Sequence, residues 1–477
     1  MNALLARWRA LPASAKASAA FIISSLVLKG MSFLTTPIFT RIMDTSQYGV
    51  ISLYNSWLLI IEVFALLGLN SAGVFNVGLN DYKDSRDQYI SSVLTLCNLA
   101  TVVVFAGLFI AKGYLGEDFL LPTNLLILMF IHLLFNPAQV FWITRQRYEY
   151  KYKLAFTLTV GTAVLSQILS IVFVYFNQNT PDGYVKLWST EIGSLFVYIP
   201  LYFLLFFRGK TFVDPKRWKQ ILVFALPLLP HYLAQHVMSG SDRIMVAELV
   251  SEADAGIYSV VAQISLVANI VWNAINASLI AYTHEHLEKK EYKKINSTVT
   301  LLIFGFGVIC LGICLIAPEV LKILAPEEYY VGVYAIPPIA GVAFLAALYN
   351  VFANLEFFHK KSFYITLSTI VATVINLALN FVFIPKFSFY AASYTTLASY
   401  IVLVIMHYIG YRRCCKEKIY NGKVLLLIMV GFLAAFIGCS LLYVNTIVRY
   451  AFIAALILVV LWKHRFIINE IKKLRNK

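Results

Sequence analysis

The sequence predicts an all-α polytopic membrane protein of about fourteen transmembrane helices. Three observations carry this: many long apolar runs, short connections between them, and Lys and Arg residues that collect in alternate connections. The composition agrees, with 60% hydrophobic and 13% charged residues, far from the mix of a soluble domain.

The first six runs lie near 17–40, 48–72, 89–111, 120–142, 154–177 and 185–207. A second six lie near 220–246, 256–282, 298–318, 333–353, 363–384 and 391–410, and a final pair near 423–443 and 447–462. Each supplies roughly the 20 apolar residues that cross a hydrocarbon core. Helices are expected throughout, because lipid-exposed backbone must satisfy its own hydrogen bonds and the alternating pattern of a barrel strand is absent. The first run is read as a retained span, since it is too long for a cleaved signal and the small residues at 13–20 precede it.

With a cytoplasmic N-terminus, the inner segments carry 31 of the 39 Lys and Arg. The outer segments carry seven, Arg41, Lys112, Lys186, Arg243, Lys322, Lys386 and Arg449, and Lys29 lies within a span. The opposite topology would put the basic clusters at 145–153, 208–219, 289–294 and 412–418 outside, against the positive-inside rule. Both termini are therefore expected in the cytoplasm, with the chain multi-pass in the membrane. The net charge of +15 follows from this topology and an anionic inner leaflet, so no nucleic-acid partner is expected.

An internal repeat appears at a spacing of about 207 residues, as many transporters show. At that offset Leu26, Met31, Ser32, Gly49 and Ser52 meet Leu233, Met238, Ser239, Gly256 and Ser259, and 166–175 resembles 375–384 at a nearly equal spacing. Six spans separate the copies, so they run parallel. The expected domains are a six-helix bundle at 1–208, a second at 216–411, and two further helices with a tail at 412–477.

Charges deep in a membrane cost roughly 2.5–3.5 kcal/mol each on insertion scales, which makes them functional candidates. Lys29 lies about twelve residues, or about 18 Å, into the first span, and Ser25, Lys29, Ser32 and Thr36 form one polar stripe. Glu62 falls at a similar depth on the second span, where it is either a static ion-pair partner of Lys29 or a cavity group. On the seventh span Tyr232, His236, Ser239 and Arg243 share a face and Asp242 adjoins Arg243, while Pro227 and Pro230 loosen the inner end. His236 aligns with Lys29 across the repeat and reads as a packing residue or a proton carrier.

Asn269, Asn273 and Asn276 line one face of the eighth span beside Trp272; Asn376 and Asn380 line the eleventh with Thr366, Thr369 and Thr373. Such amides suit sugar hydroxyls or serve as interhelical hydrogen bonds. With Lys29, Arg41, His236 and Arg243 they are the substrate-contact candidates. Lys29, Glu62 and Asp242 are the candidates for an ion pair or coupling. No metal site or cofactor is expected: Cys310 and Cys314 share a helix face without a further ligand, and Gly209-Lys210-Thr211 has Leu204 where a phosphate loop needs its first glycine.

The stretch Lys29-Gly-Met-Ser-Phe-Leu-Thr-Thr-Pro-Ile-Phe-Thr-Arg41, continuing to Gln47-Tyr48-Gly49, resembles the opening of the Wzx-type polysaccharide flippases. So does Leu226-Pro-Leu-Leu-Pro-His231, followed by Ser241-Asp242-Arg243-Ile244 and Gly256-Ile257-Tyr258. These flippases belong to the multidrug/oligosaccharidyl-lipid/polysaccharide exporter superfamily, and the likeness runs through nearly the whole chain in span count and paired bundles. The resemblance implies two six-helix lobes in a V-shaped arrangement and alternating access. It implies a transporter and no enzyme, moving undecaprenyl-diphosphate-linked oligosaccharide for O-antigen, capsule or exopolysaccharide assembly. The implied partners are that substrate, membrane lipids, and a polysaccharide polymerase with its chain-length machinery. Lys29 suits a diphosphate, whose charge needs a positive partner at low dielectric.

Two rival readings remain. A cation-coupled multidrug antiporter of the same superfamily would share the fold, with Glu62 and Glu191 as its acidic groups. A membrane polysaccharide polymerase or ligase would need catalytic residues on a large outer loop, and the outer loops are short.

The charge partition yields a topology test. Cysteines placed at Thr45, Asn179, Glu327 and Phe387 should react with an impermeant thiol reagent in intact cells or spheroplasts, and those at Lys290 and Lys416 should not; the reverse pattern overturns the orientation.

Overall fold

The computed structural model describes residues 13–458 apart from 71, 118, 178, 179 and 416. Asn179, Lys416, the side chain of Ser25 and the end of the last apolar run lie outside the described residues. Those described form α1 (Ala13–Ile42), α2 (Thr45–Ala65), α3 (Ala72–Asp81), α4 (Arg86–Leu115), α5 (Thr123–Tyr148), α6 (Tyr152–Phe176), α7 (Asp182–Gly209) and α8 (Pro215–Ala225). There follow α9 (Leu229–Leu249), α10 (Glu252–Ile264), α11 (Leu266–Glu288), α12 (Tyr292–Leu324), α13 (Ile336–Phe358), α14 (Ser362–Cys414), α15 (Gly422–Leu442) and α16 (Thr446–Leu458). The chain is an all-α membrane protein, with no strand among the described residues.

Eleven helical segments among the described residues are long and apolar enough to cross a membrane. One of them contains α14, which bends at Ser388 and holds the two runs that the sequence separates there. With that division, α1 and α16 complete a set compatible with fourteen spans. Three apolar runs are interrupted within their length. The second breaks after Ala65, where Leu67 and Gly68 take positive φ. The seventh breaks at a 3-10 turn over Leu226–Leu228, where Pro227 and Pro230 deny the helix two N–H donors. The eighth breaks at Ser265, between α10 and α11.

Two compact units result. The first holds the chain up to Val260 together with Leu324–Tyr329 and Lys361–Thr395. Within it α7 packs against α2, α4, α5 and α6. Small residues set the α6–α7 approach: a Cβ on Gly193 would come 2.6 Å from the Ser166 backbone, and the Ser166 and Ser194 hydroxyls bond at 3.0 Å.

The repeat is realised as a physical contact in this unit. A Cβ on Gly49 of α2 would fall 1.8 Å from the Glu252 carbonyl oxygen, and a Cβ on Gly256 of α10 would fall 2.2 Å from that of Thr45. The Ser52 and Ser259 hydroxyls, 207 residues apart, hydrogen-bond to each other. Thr45 and Glu252, and Gly49 and Gly256, lie at the same 207-residue offset, and the contacts are reciprocal, as a local two-fold axis requires.

At the α14 bend Ser388 has φ 55° and ψ −151°, a conformation that costs a non-glycine residue about 1–3 kcal/mol. Its hydroxyl donates to Asp254 Oδ1 at 2.9 Å, a charge-assisted bond that offsets part of that cost.

The second unit comprises Val261–Ile323, Tyr330–Lys360 and the chain from Thr396 onward. Its core is aromatic: Phe344 meets Phe432 at 5.3 Å and Phe436 at 5.8 Å, and Trp272 meets Phe306 at 5.1 Å. Inside it His407 Nδ1 and Glu356 Oε2 stand 2.7 Å apart, both side chains essentially inaccessible, with the Tyr349 ring stacked on the imidazole at 5.2 Å.

The α2–α10 crossing predicts its own sensitivity. Gly49→Val or Gly256→Val should lower stability by about 1–3 kcal/mol or more, read as a lower melting temperature in detergent. Gly305→Ala, where a new Cβ meets nothing within 4 Å, is the control. Equal melting of all four proteins would show that the helices do not approach at these glycines.

Candidate functional site

A polar cavity of 240 Å³ opens inside the first unit. Helical spacing explains its walls: Ser32 and Thr36 project from one face of α1, Tyr48 and Asn55 from one face of α2, and Lys186, Thr190 and Glu191 from α7. His132 of α5 and Gln167 of α6 close it.

Lys186 sits one turn into α7, where the positive end of the helix dipole disfavours a cation. Two aromatic faces hold it instead, with Nζ 3.9 Å from the Phe39 ring centroid and 5.1 Å from that of Tyr48. Among the described residues its ammonium makes no ion pair. Its N–H donors are thus left for the cavity.

An acid–imidazole cluster occupies another part of the wall. Glu191 is buried, and its Oε2 lies 2.7 Å from His132 Nδ1. Its Oε1 has no hydrogen-bond partner among the described residues. The Tyr198 ring meets His132 edge-on at 6.0 Å, and Asn136 Nδ2 donates to the Tyr198 hydroxyl at 3.1 Å. Glu62 is near enough to His132 for their charges to interact, and its Oε1 accepts from Asn70 Nδ2 at 2.8 Å. Chemically, the cavity offers a cation to an anionic group and a buried pair that can exchange a proton.

The residues singled out from the sequence fall in several places. Lys29 is half-buried on α1, one turn before Ser32, and forms no ion pair with Glu62 among the described residues. Glu62 turns instead to Asn70 and His132. Arg41 is exposed and donates to the Pro37 carbonyl at 2.8 Å. His236 is half-buried on α9, and Arg243 donates to the Ser239 carbonyl at 2.9 Å.

Asp242 does not turn to Arg243. It is buried, accepting from Asn380 Nδ2 at 2.7 Å and from the Tyr258 hydroxyl at 3.0 Å. Asn376 and Asn380, candidates for substrate contact or interhelical bonding, are fully buried in this network, where Ser241 donates to Asn376 Oδ1 at 3.3 Å. Asn269, Asn273 and Asn276 belong to the second unit; Asn273 is exposed, and Asn276 Oδ1 accepts from Asn354 Nδ2 at 2.9 Å.

Comparison with known proteins places this fold. Residues 14–280 match the family model described as polysaccharide biosynthesis protein. The chain belongs to this family. Among its relatives is the Lsg locus putative protein 1 of Haemophilus influenzae, 24% identical over 372 residues that cover 76% of this chain and 88% of the relative. The capsular polysaccharide biosynthesis protein CapF of Staphylococcus aureus is 23% identical over 273 residues, 56% of this chain and 66% of that protein.

This polysaccharide biosynthesis protein also shares its fold with solved transporters of the exporter superfamily. The lipid II flippase MurJ in an inward closed conformation superposes with a TM-score of 0.65 at 11% identity, covering 94% of this chain and 99% of that one. An inward-facing multidrug resistance transporter of the MATE family gives 0.61 at 14% identity, covering 82% and 94%. The likeness to the Wzx-type flippases, read from two short segments, holds at the level of family and fold.

Sequence reasoning counted Lys186 only as an outer basic residue and did not single out His132. The available signal was the i, i+4, i+5 spacing of Lys186, Thr190 and Glu191 on an otherwise apolar helix.

The cluster predicts a stability pattern. His132→Ala leaves the Glu191 carboxylate buried without its partner and should cost about 3–5 kcal/mol in unfolding free energy. The double variant His132→Leu/Glu191→Leu should recover most of that loss. A chemical denaturation series in detergent checks this, and an equal loss in both variants would refute it.

Proposed function

We propose that this protein is a flippase that carries a lipid-linked oligosaccharide from the cytoplasmic to the outer leaflet of the bacterial cytoplasmic membrane, for assembly of a surface polysaccharide. The observation that carries this reading is membership of the polysaccharide biosynthesis protein family in a chain with a transporter fold. A polyprenyl diphosphate such as undecaprenyl diphosphate is the fitting carrier, because Lys186 and Lys29 are cations within apolar helices and a diphosphate supplies the opposite charge. The sugar portion would cross through polar space while the isoprenoid chain stays in the bilayer.

In this reading the repeats at 1–208 and 216–411 act as the two bundles that alternate access between the membrane faces, and both termini are cytoplasmic. The exported repeat unit then passes to a polysaccharide polymerase and its chain-length machinery.

Deletion of the gene should remove the surface polysaccharide and accumulate a complete lipid-linked repeat unit on the inner leaflet. Complementation with Lys186→Ala or Lys29→Ala should fail at normal membrane levels, and Lys186→Arg or Lys29→Arg should restore part of the export. Unaltered polysaccharide in the deletion strain, with new sensitivity to amphipathic cations, would replace the flippase with a drug antiporter. Full export by a well-expressed alanine variant would remove that lysine from the transport role.

A further inference from the structure

In the second unit the ends of α12, α14 and α15 enclose a cavity of 560 Å³ whose lining includes Lys293, Arg412, Lys418 and Lys423. No carboxylate lines it. Among the described residues none of these four cations forms an ion pair: Glu291 is taken by Lys294 at 2.7 Å, and Glu417 is exposed outside the lining. Asn421 begins α15 there, its side chain capping Val424 N–H, so the positive end of a helix dipole adds to the field.

An apolar groove of 350 Å³ adjoins this cavity and shares Tyr408, Gly422 and Lys423 with it. Its walls come from α13, α14 and α15, among them Phe352, Val404, Ile405 and Leu426. Ile405 and Leu426 are exposed, so the groove faces outward from the helix bundle.

The site is built in advance of any ligand. The Tyr411 hydroxyl accepts the N–H groups of Ile419 at 2.9 Å and Tyr420 at 3.1 Å, which pins the loop before α15. Asn421 N–H donates to Asn296 Oδ1 at 2.8 Å and ties that loop to α12. Gly422 lets the Tyr408 hydroxyl lie against the start of α15, since a Cβ there would come 2.5 Å from the oxygen. Four like charges gathered around fixed backbone are unfavourable until an anion joins them.

We propose that this paired cavity and groove binds one anionic glycerophospholipid of the surrounding leaflet, with its phosphate among Lys293, Arg412, Lys418 and Lys423 and an acyl chain along Leu426 and Ile405. Basic pockets between membrane helices recognise anionic headgroups by charge, and the adjoining groove excludes a ligand that is only an ion. The proposal does not depend on what the protein transports.

The test uses the full chain purified in detergent, with bound lipid counted by native mass spectrometry and melting followed as lipid is added. Phosphatidylglycerol should bind at one per chain and raise the melting temperature, and phosphatidylcholine should do neither. Lys418→Gln, at an exposed side chain, should weaken phosphatidylglycerol binding about fivefold, and Arg412→Gln/Lys418→Gln/Lys423→Gln about a hundredfold. Leu426→Trp should fill the groove and abolish lipid binding with the charges intact. Equal binding of both lipids, unchanged affinity in Lys418→Gln, or full stabilisation by inorganic phosphate alone would overturn the proposal, the last result marking a free-anion site.

Discussion

Hydrocarbon offers no hydrogen bond, and the arrangement of polar groups in this protein follows from that constraint. Hydroxyls turn back on their own helices, as Ser239 does to the Gln235 carbonyl and Ser368 to that of Tyr364. Groups that cannot do so are gathered into closed sets, such as Asp242 with Tyr258 and Asn380 or Glu356 with His407. Lys186 departs from this pattern. Aromatic faces stabilise its charge without consuming its N–H donors, so it is held in place and still able to bind.

The fold class was legible because hydropathy over twenty residues is a local property with few alternative solutions. Where the helices break was less so: Pro227 and Pro230 announce the turn over Leu226–Leu228, whereas the breaks after Ala65 and at Ser265 lie inside runs whose hydropathy reads as one span. The polar stripes were real, yet spacing gives the face of a helix and not what lies opposite. Asn376 and Asn380 share a face as expected, and that face meets a buried Asp242. Asp242 and Arg243 are neighbours in sequence, but successive helical positions point in different directions, so the apparent pair dissolves. His132 and Glu191 come from different helices, and their pairing is invisible to any local pattern.

Basic residues of this protein are occupied in two different ways. Some are individually employed: Lys112 is buried and donates to the Leu121 carbonyl at 2.9 Å, and Arg449 is buried against Glu319. Others, Lys293, Arg412, Lys418 and Lys423, line one cavity and form no ion pair among the described residues. The first group shapes loops and helix ends. The second creates a field.

The reciprocal contact of Gly49 and Gly256 bears on how a duplicated chain can diverge. Residues away from the axis answer to different neighbours in the two copies, so Lys29 and His236 are free to become unlike. Near the axis a side chain gained by Gly49 meets the Glu252 backbone and one gained by Gly256 meets the Thr45 backbone, so each copy limits the other. A side chain at either glycine is therefore restricted by the opposite copy, and the identities Gly49/Gly256 and Ser52/Ser259 lie where the copies touch.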